Sequence, residues 1–307
     1  MRNGIASVGE CMLELSGTGE GAWRLGYAGD TFNTLWTLRA LVDAGQPTDY
    51  VSAFGDDPFS EQQIAFFKES GIGIASSPRL KGARPGIYAI TLSGAERSFT
   101  YWRNDAAARE LASDPAALAA SLEGRALVYF SGVTLAILAP DARAALISAL
   151  STARSAGSLI AFDPNYRPRL WQSADAARQA FDEALPVADI ALPTFPDEES
   201  LYGDRDLQAT AARLLKAGVG EAAIKNGDQP ALIATAEGST SVPGITVSAI
   251  DTTGAGDSFN GAYLAARLKG EPPVEAAKRA HRVAAAVVQV RGALAPFETL
   301  RQAFLQE

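Results

Sequence analysis

Short apolar runs alternate with longer stretches of helical periodicity along most of the chain. The runs that predict strands lie at residues 5–8, 50–54, 127–131, 159–163, 190–192, 222–225 and 231–234. The stretches with helical spacing lie at residues 30–44, 58–70, 139–156, 174–184, 207–217 and 274–290. This alternation predicts an α/β fold in which a doubly wound, mostly parallel sheet carries helices on both faces. In such sheets, ligands bind at the carboxyl ends of the strands.

Residues 86–102 break this rhythm, because apolar and polar positions alternate there with the period of a strand. The Ser93-Gly94 pair predicts the turn of a hairpin, and residues 23–29 form a second short extended candidate. We expect these parts, residues 12–29 and 84–104 approximately, to form a small β-sheet lid on a single domain that spans residues 1–307. The alternative is an ordinary surface hairpin.

Composition and charge exclude several classes of protein. The 307 residues are 47% hydrophobic and 20% charged, which is typical of a globular enzyme. The net charge of −8 argues against a nucleic-acid partner, and no apolar run is long enough for a membrane span. Cys11 is the single cysteine, so no intramolecular disulfide forms. Glu10 and Glu14 interrupt the first apolar stretch, which therefore does not resemble a signal peptide, and we expect a cytoplasmic protein.

The segment at residues 251–261, Asp-Thr-Thr-Gly-Ala-Gly-Asp-Ser-Phe-Asn-Gly, is the most informative part of the chain. Its glycines allow backbone N–H groups to converge at a helix start, where phosphate is favoured. Asp257 lies inside this turn. A carboxylate there is unfavourable for phosphate binding alone, but it suits a base that deprotonates a hydroxyl as that hydroxyl attacks phosphorus.

Three other interpretations of this turn compete with that one. A Walker-type loop fails because Asp257 and Ser258 stand where Lys and Ser or Thr are required. A dinucleotide-binding fingerprint fits poorly because the spacing is longer and the segment lies near the end of the chain. The third is an ordinary strand-to-helix turn with an Asp near the N-cap.

Polar residues also follow the strand candidate at residues 159–163. Asp163 is a candidate for holding Mg²⁺ through water, Asn165 for contacting phosphates, and Arg167 for clamping an anion. The alternative is a polar loop whose arginine pairs with local carboxylates.

The start of the helical stretch at residues 30–44 offers a candidate sugar site. Gly29 permits close backbone approach, and the side chains of Asp30 and Asn33 are suited to sugar hydroxyls. Taken alone, this segment is equally a helix cap.

Three further segments are ambiguous by themselves. Tyr101 and Arg103 would share a face of an extended strand and could offer a ligand a hydroxyl group and a charge. The alternative is a strand in which the arginine is only solvated. Residues 225–228 border a nucleotide or form a tight turn. Residues 194–199 form an acidic helix start, which the helix dipole alone explains.

Two segments resemble signatures of the ribokinase-like (PfkB) carbohydrate kinases. Residues 251–257 match the D-T-x-G-A-G-D pattern of that family, and residues 28–33 resemble its N-terminal signature, in the same order along the chain. The resemblance covers essentially the whole chain. It implies a doubly wound core with a small β lid, ATP as the phosphoryl donor, and Mg²⁺.

The resemblance also implies roles for single residues. Asp257 becomes the base, and the N–H groups of Gly254, Ala255 and Gly256 become the anion hole for the transferring phosphoryl group. The implied sugar-site residues are Gly29, Asp30 and Asn33. The implied nucleotide-site residues are Asn165, Thr194, Lys225, Gly227, Gly254, Gly256 and His281, the last beside the adenine or on the helix surface. The family often has N-x-x-E near the metal, and here Thr194 and Asp197 stand at those positions, so Asp197 joins Asp163 as a candidate for binding Mg²⁺ through water.

Residues 9–16, 101–104, 131–132 and 165–171 together are similar to the kinases of 2-keto-3-deoxygluconate within that family. This narrower resemblance implies a sugar acid phosphorylated at its terminal hydroxyl. Arg103 and Arg167 become candidates for its carboxylate, with Tyr88 and Tyr101 contributing from the lid. We expect a homo-oligomer, as a dimer through the lid, and a monovalent cation near Asp251 is left open.

Three rival functions remain. A kinase of the same fold could act on a neutral sugar such as fructose or ribose, or on a nucleoside. A non-catalytic sugar or nucleotide sensor would have no need of a base aimed at phosphorus. A dinucleotide-dependent oxidoreductase would need an N-terminal fingerprint, and the glycines at residues 17–21 lack the adjoining strand-to-helix pattern.

Overall fold

The computed structural model describes residues 3–19, 21–93 and 96–306. The strands are β1 (Gly4–Val8), β2 (Met12–Gly19), β3 (Ala22–Ala28), β4 (Thr48–Val51), β5 (Phe54–Gly55), β6 (Arg79–Leu80), β7 (Ile87–Ser93), β8 (Glu96–Trp102), β9 (Arg125–Ser131), β10 (Leu159–Asp163), β11 (Ile190–Ala191), β12 (Glu221–Ile224), β13 (Ala231–Thr235) and β14 (Gly238–Val242). The helices are α1 (Asp30–Leu41), α2 (Pro58–Glu69), α3 (Pro115–Leu122), α4 (Gly132–Ile137), α5 (Pro140–Ser155), α6 (Ala174–Ala184), α7 (Phe195–Tyr202), α8 (Leu207–Lys216), α9 (Ala255–Leu268), α10 (Pro273–Val287) and α11 (Phe297–Leu305).

Eight strands form the main sheet in the order β14-β13-β12-β11-β10-β9-β1-β4. The strands from β12 to β4 are parallel, and β13 and β14 add an antiparallel edge. The predicted mostly parallel, doubly wound sheet is therefore confirmed. None of the helices in the described residues is long and apolar enough to cross a membrane.

The core lies on both faces of this sheet, because alternate strand residues point to opposite sides. Ile5 of β1 and Tyr129 of β9 belong to one apolar cluster, with α1, α9, α10 and α11. Val8 and Phe130 of the same strands belong to the other cluster, with α3, α5, α6 and α8. Strands buried on both faces read as continuous apolar runs, which explains why the sequence pattern located them.

Several predicted elements differ at their ends, and α1 ends at Leu41 instead of residue 44. The run at residues 50–54 is not one strand: β4 ends at Val51, and the Ser52 N–H donates to the Ser77 hydroxyl instead of a neighbouring strand. The helix predicted to reach residue 290 ends at Val287 as α10. Its next carbonyl, that of Val288, accepts the N–H groups of Ile250 and Asp251.

A four-stranded sheet in the order β3-β2-β7-β8 stands beside the main sheet. Its strands fall within the segments expected to form the lid, and β7 and β8 form the expected hairpin. Gly94, in the predicted hairpin turn, lies outside the described residues. Tyr27 of β3 stacks on Phe66 of α2, with ring centroids 4.7 Å apart, which ties this sheet to the core.

Candidate active site

The turn before α9 requires glycine at its pivot. Gly254 adopts a left-handed conformation, with φ 77°, and a Cβ atom at this residue would lie 2.9 Å from the Cβ of Ala293. The helix begins at the next residue, so its first N–H groups face away from the helix body. Of the three predicted anion-hole residues, Ala255 also directs its N–H to the Thr252 carbonyl, at a long 3.3 Å.

Asp257 lies in the first turn of α9 and is partly exposed. Its Oδ2 accepts a hydrogen bond from Asn33 Nδ2 at 2.8 Å. The pKa of this carboxyl group is raised to about 7, first by burial and second by the negative charge of Asp30, while the hydrogen bond from Asn33 lowers it. A base with a pKa near the working pH is suited to proton transfer.

The predicted sugar-site residues gather around the start of α1. A Cβ atom at Gly29 would lie 2.1 Å from the Glu10 carbonyl oxygen, so only glycine fits between α1 and the end of β1. Asp30 Oδ2 accepts from Asn165 Nδ2 at 2.7 Å. Because Asn33 bonds to Asp257, the starts of α1 and α9 meet at one point above the carboxyl ends of the strands.

Asp163 ends β10, and Asn165 lies two residues further along the chain. Asn165 has a positive φ of 34°, which for a non-glycine residue is an uncommon conformation. Its N–H donates to Asp163 Oδ1 at 3.0 Å, while its side chain reaches Asp30. Asp163 is buried, and its Oδ2 accepts from Lys225 and Asn260. Asn165 is thus placed between the sugar-site residues and Asp163.

Lys225 and Gly227 occupy different environments, although both were assigned to the nucleotide site. Lys225 is buried, and its three N–H donors go to Asp163 Oδ2, Asn260 Oδ1 and the Leu192 carbonyl. Gly227 is exposed in the turn after β12, with φ 62°. In this arrangement Gly227 is accessible to a nucleotide, whereas Lys225 has no donor left for one.

Thr194, Asp197 and Arg167 lie together at the start of α7. Thr194 is the N-cap residue, and its side chain makes no capping bond. Asp197 pairs with Arg167 at 3.2 Å, as the local-pair alternative for Arg167 anticipated, and about half of the arginine side chain is exposed. Burial raises the pKa of Asp197, and the nearby Arg167 opposes this effect.

Arg103 follows β8 and pairs with the buried carboxylate of Glu10, so it is not the solvated residue of the alternative interpretation. Glu10 lies two residues after β1, and burial raises its pKa against the opposing charge of Arg103. Within the described residues, Glu10 Oε1 and Arg103 Nε are buried polar atoms that lack a hydrogen-bond partner. Glu10 was not among the site residues predicted from the sequence. The signal that could have indicated it is a carboxylate close to the carboxyl end of a strand.

Tyr88 and Tyr101 are opposite each other across β7 and β8 and therefore share one face of the small sheet. Their ring centroids are 5.7 Å apart. The Tyr88 hydroxyl donates to Glu14 of β2 on the same face. The two tyrosines that were predicted to help from the lid thus form one polar and aromatic patch.

His281 is buried in α10, so the alternative of a helix-surface histidine does not apply. Its ring meets that of Phe259 edge-on, with ring centroids 5.1 Å apart. Burial lowers its pKa, which keeps the ring neutral. Asp251, where a monovalent cation was left open, accepts from the N–H groups of Thr253 and Gly292.

A metal ion would find few ligands here. No group of three or more His, Cys, Asp or Glu side chains in the described part of the chain is arranged to hold one. The negative charge of Asp163 contributes to raising the pKa of Asp197. Two carboxylates fit Mg²⁺, which keeps several waters and takes its other ligands from substrate phosphates.

The fold and the turn before α9 together define the class of protein, a ribokinase-like kinase. Residues 2–300 match the model of the pfkB family carbohydrate kinase, and the chain belongs to that family. A 2-dehydro-3-deoxygluconokinase of Escherichia coli (strain K12) is 40% identical over 98% of this chain and 99% of its own length. The enzyme of that name from Dickeya dadantii is 41% identical over 96% of this chain and 98% of its own length.

Solved structures agree on the fold. The PfkB protein from Polaromonas sp. JS666 is 26% identical, with a TM-score of 0.84 over 99% of this chain and 100% of its own. A putative ribokinase II from E. coli, in complex with ATP and Mg²⁺, has a TM-score of 0.84 at 24% identity over 99% of both chains. The resemblance to the family that residues 28–33 and 251–257 predicted is thus confirmed over nearly the whole chain.

Proposed function

We propose that this kinase transfers the γ-phosphoryl group of ATP to the terminal hydroxyl of 2-keto-3-deoxygluconate, giving 2-keto-3-deoxy-6-phosphogluconate and ADP. One observation supports this substrate above the others. Relatives named 2-dehydro-3-deoxygluconokinase align with at least 94% of the chain at 35–41% identity. Relatives named fructokinase align with about 73% at 29–31% identity.

In the proposed chemistry, Asp257 removes the proton from the sugar hydroxyl. The hydroxyl oxygen forms a bond to the γ-phosphorus, the bond between that phosphorus and the β,γ-bridging oxygen breaks, and ADP leaves. The N–H groups at the start of α9 stabilise the charge on the transferring group. Mg²⁺, held through water by Asp163 and Asp197, would neutralise charge on the phosphates.

The acid end of the substrate is assigned to Arg103 and Arg167. The Arg103 Nε has no partner in the described residues and is therefore a free donor for a carboxylate. Arg167 is half exposed and pairs with Asp197 at only one nitrogen, which leaves further donors. Tyr88 and Tyr101, on the same face of the small sheet, supply hydroxyl groups. In this proposal, the small sheet acts as a lid over the bound sugar acid.

Three further expectations belong to this proposal. The exposed apolar side chains of the small sheet at Trp23, Leu25 and Trp102 support a dimer through the lid. Analytical ultracentrifugation tests it, because Trp102→Asp should yield monomers if the lid is the contact.

A cytoplasmic location and a monovalent cation near Asp251 also stay predictions, the latter tested by comparing rates in potassium and in a large organic cation.

The function is tested by ADP release with a panel of acceptors. The panel contains 2-keto-3-deoxygluconate, its galactonate epimer, fructose, ribose and a nucleoside, and mass spectrometry identifies the product. We expect the highest kcat/KM with 2-keto-3-deoxygluconate. A higher kcat/KM with a neutral sugar or nucleoside would replace the proposed substrate, and no ATP turnover with any acceptor would favour a sensor.

A further inference from the structure

Four polar side chains from different elements form one buried cluster beneath the start of α9. Asp163 ends β10, Lys225 follows β12, Asn260 lies in α9 and Tyr129 lies in β9. Lys225 Nζ is 2.9 Å from Asp163 Oδ2 and 2.8 Å from Asn260 Oδ1. Asn260 Nδ2 donates to the same Asp163 oxygen at 2.7 Å and to the Tyr129 hydroxyl at 3.2 Å. No residue in this cluster is more than 6% exposed.

This cluster is an expensive way to stabilise a fold. Burying an ion pair costs desolvation energy that its attraction often fails to recover, so apolar side chains of the same volume would stabilise the core as well or better. The hydrogen bonds of this cluster do, however, fix the relative positions of the elements that they join. Each donor of Lys225 meets one acceptor, which fixes the distances between β10, β12 and α9.

The cluster lies directly below the catalytic turn. Asn260 is three residues after Asp257, so both occupy the same side of α9 one turn apart. The Lys225 Cε atom would be 3.8 Å from a Cβ atom at Gly256, in the middle of the turn. Asp163 also accepts from Asn165, whose side chain bonds to Asp30. The cluster therefore joins the turn to the sugar-site residues.

We propose that Lys225 and Asn260 are positioning residues, which hold the first turn of α9 so that Asp257 and the turn's N–H groups face the transferring phosphoryl group, and that Lys225 makes no contact with the nucleotide. The proposal rests on the proposed function for the role of Asp257 as base. The charge of Lys225 is consistent with this role, because it lowers the pKa of Asp257, whereas burial, Asp30 and Asp163 raise it.

The test is Lys225→Met, with Lys278→Met as its control, because Lys278 is an exposed lysine of α10 that pairs with Glu275. A misplaced turn should lower kcat roughly 100-fold, since small displacements in a catalytic site have effects of that order. The KM for ATP should stay within about threefold, because no bond to ATP is lost. The acid limb of the kcat/KM profile should move to higher pH. Lys225→Arg keeps the charge and should keep that limb near its original pH.

Asn260→Leu removes the hydrogen bonds at nearly constant volume and should lower kcat by a similar factor. If the two residues act as one unit, the double variant should lose little more than either single variant. Should Lys225→Met unfold because Asp163 is left unpaired, Asn260→Leu still tests the proposal, because it keeps the ion pair between Lys225 and Asp163.

Two results would overturn this inference. One is a KM for ATP raised tenfold or more at unchanged kcat, which would make Lys225 a nucleotide contact. The other is a fully additive double variant, which would mean that the two residues act separately. Failure of the proposed function looks different, because the wild type itself would then not phosphorylate the sugar acid. The same variants would in that case be compared with the acceptor that the wild type uses.

Discussion

Asn33 Nδ2 donates a 2.8 Å hydrogen bond to Asp257 Oδ2, although 224 residues separate the two in the sequence. Asn33 belongs to the helix start assigned to the sugar, and Asp257 belongs to the turn assigned to phosphate. The bond therefore joins the acceptor and donor halves of the proposed reaction at the atom that takes the proton. It also favours the charged carboxylate, which is the form that acts as a base.

Asp257→Asn tests the base directly. The amide cannot accept the hydroxyl proton, so kcat should fall by roughly 100-fold to 10,000-fold. The affinity for ATP, measured by calorimetry, should stay near that of the wild type. Asp141→Asn, on the exposed start of α5, is the control and should retain full activity. Near-normal turnover by Asp257→Asn would remove this residue from the role of base.

Asn33→Leu tests the pH dependence of that base. Asn33 lowers the pKa of Asp257, which lies at about 7 in the intact protein. Without the bond the carboxylate is less favoured, its pKa rises, and the acid limb of the kcat/KM profile should move to higher pH. The loss of rate should accordingly be larger at pH 6 than at pH 8.5. A uniform loss across the profile would indicate that Asn33 acts only on the sugar.

The raised pKa of Asp257 also predicts how stability depends on pH. The pKa is about 7 in the folded protein against an ordinary value of 3.8, so the folded state holds the proton more tightly. This group stabilises the fold fully below pH 3.8, and that stabilisation is lost as the pH rises through about 7. The Asp257→Asn variant has no titrating group at this residue and does not lose this stabilisation. The free energy of unfolding of the variant minus that of the wild type should therefore increase between pH 4 and pH 8. Urea titrations at several pH values measure this difference, and a constant difference would contradict it.

Arg103→Ala tests recognition of the acid end. A sugar-acid kinase should show a KM for the acceptor raised about tenfold or more, because a charge-assisted bond to a carboxylate is lost. The same change leaves Glu10 buried without its cation, which should reduce stability by about 3–5 kcal/mol. Glu10→Gln/Arg103→Ala separates these effects, since it should recover stability but not the KM. Arg84→Ala is the control, because Arg84 is an exposed arginine near the same strands that pairs with Asp105.

Gly254→Ala and Gly256→Ala form a matched pair in the catalytic turn. Gly254 has φ 77°, and a Cβ atom there would be 2.9 Å from Ala293, so the alanine should destabilise the protein by at least about 1–2 kcal/mol and displace the turn. A Cβ atom at Gly256 would meet only the Lys225 Cε at 3.8 Å, so that variant should unfold at the same urea concentration or a higher one. Equal destabilisation of both variants would show that the conformation of Gly254 is not what the turn requires.

Much of the fold could be predicted because the relevant signals are local. Parallel strands buried on both faces appear as continuous apolar runs, as in Leu127 to Ser131. The edge strand β14 could not be recognised, since its residues Gly238–Val242 are largely polar and exposed. Its existence depends on pairing with β13, which no local pattern records. The end of α10 was also missed, because it depends on the backbone of Ile250 and Asp251.

The sequence by itself determined the doubly wound sheet, the family and the phosphate turn with Asp257, since each depends on residue types at short fixed spacings. Only the tertiary structure decided the environments of the charged groups. A lysine after a strand is compatible with nucleotide binding or burial, and Lys225 proved to be buried because Asp163 and Asn260, 62 and 35 residues away, surround it. Arg103 likewise meets Glu10 across 93 residues. Burial and charge pairing are sums over long-range contacts, and the chain must fold before those contacts exist.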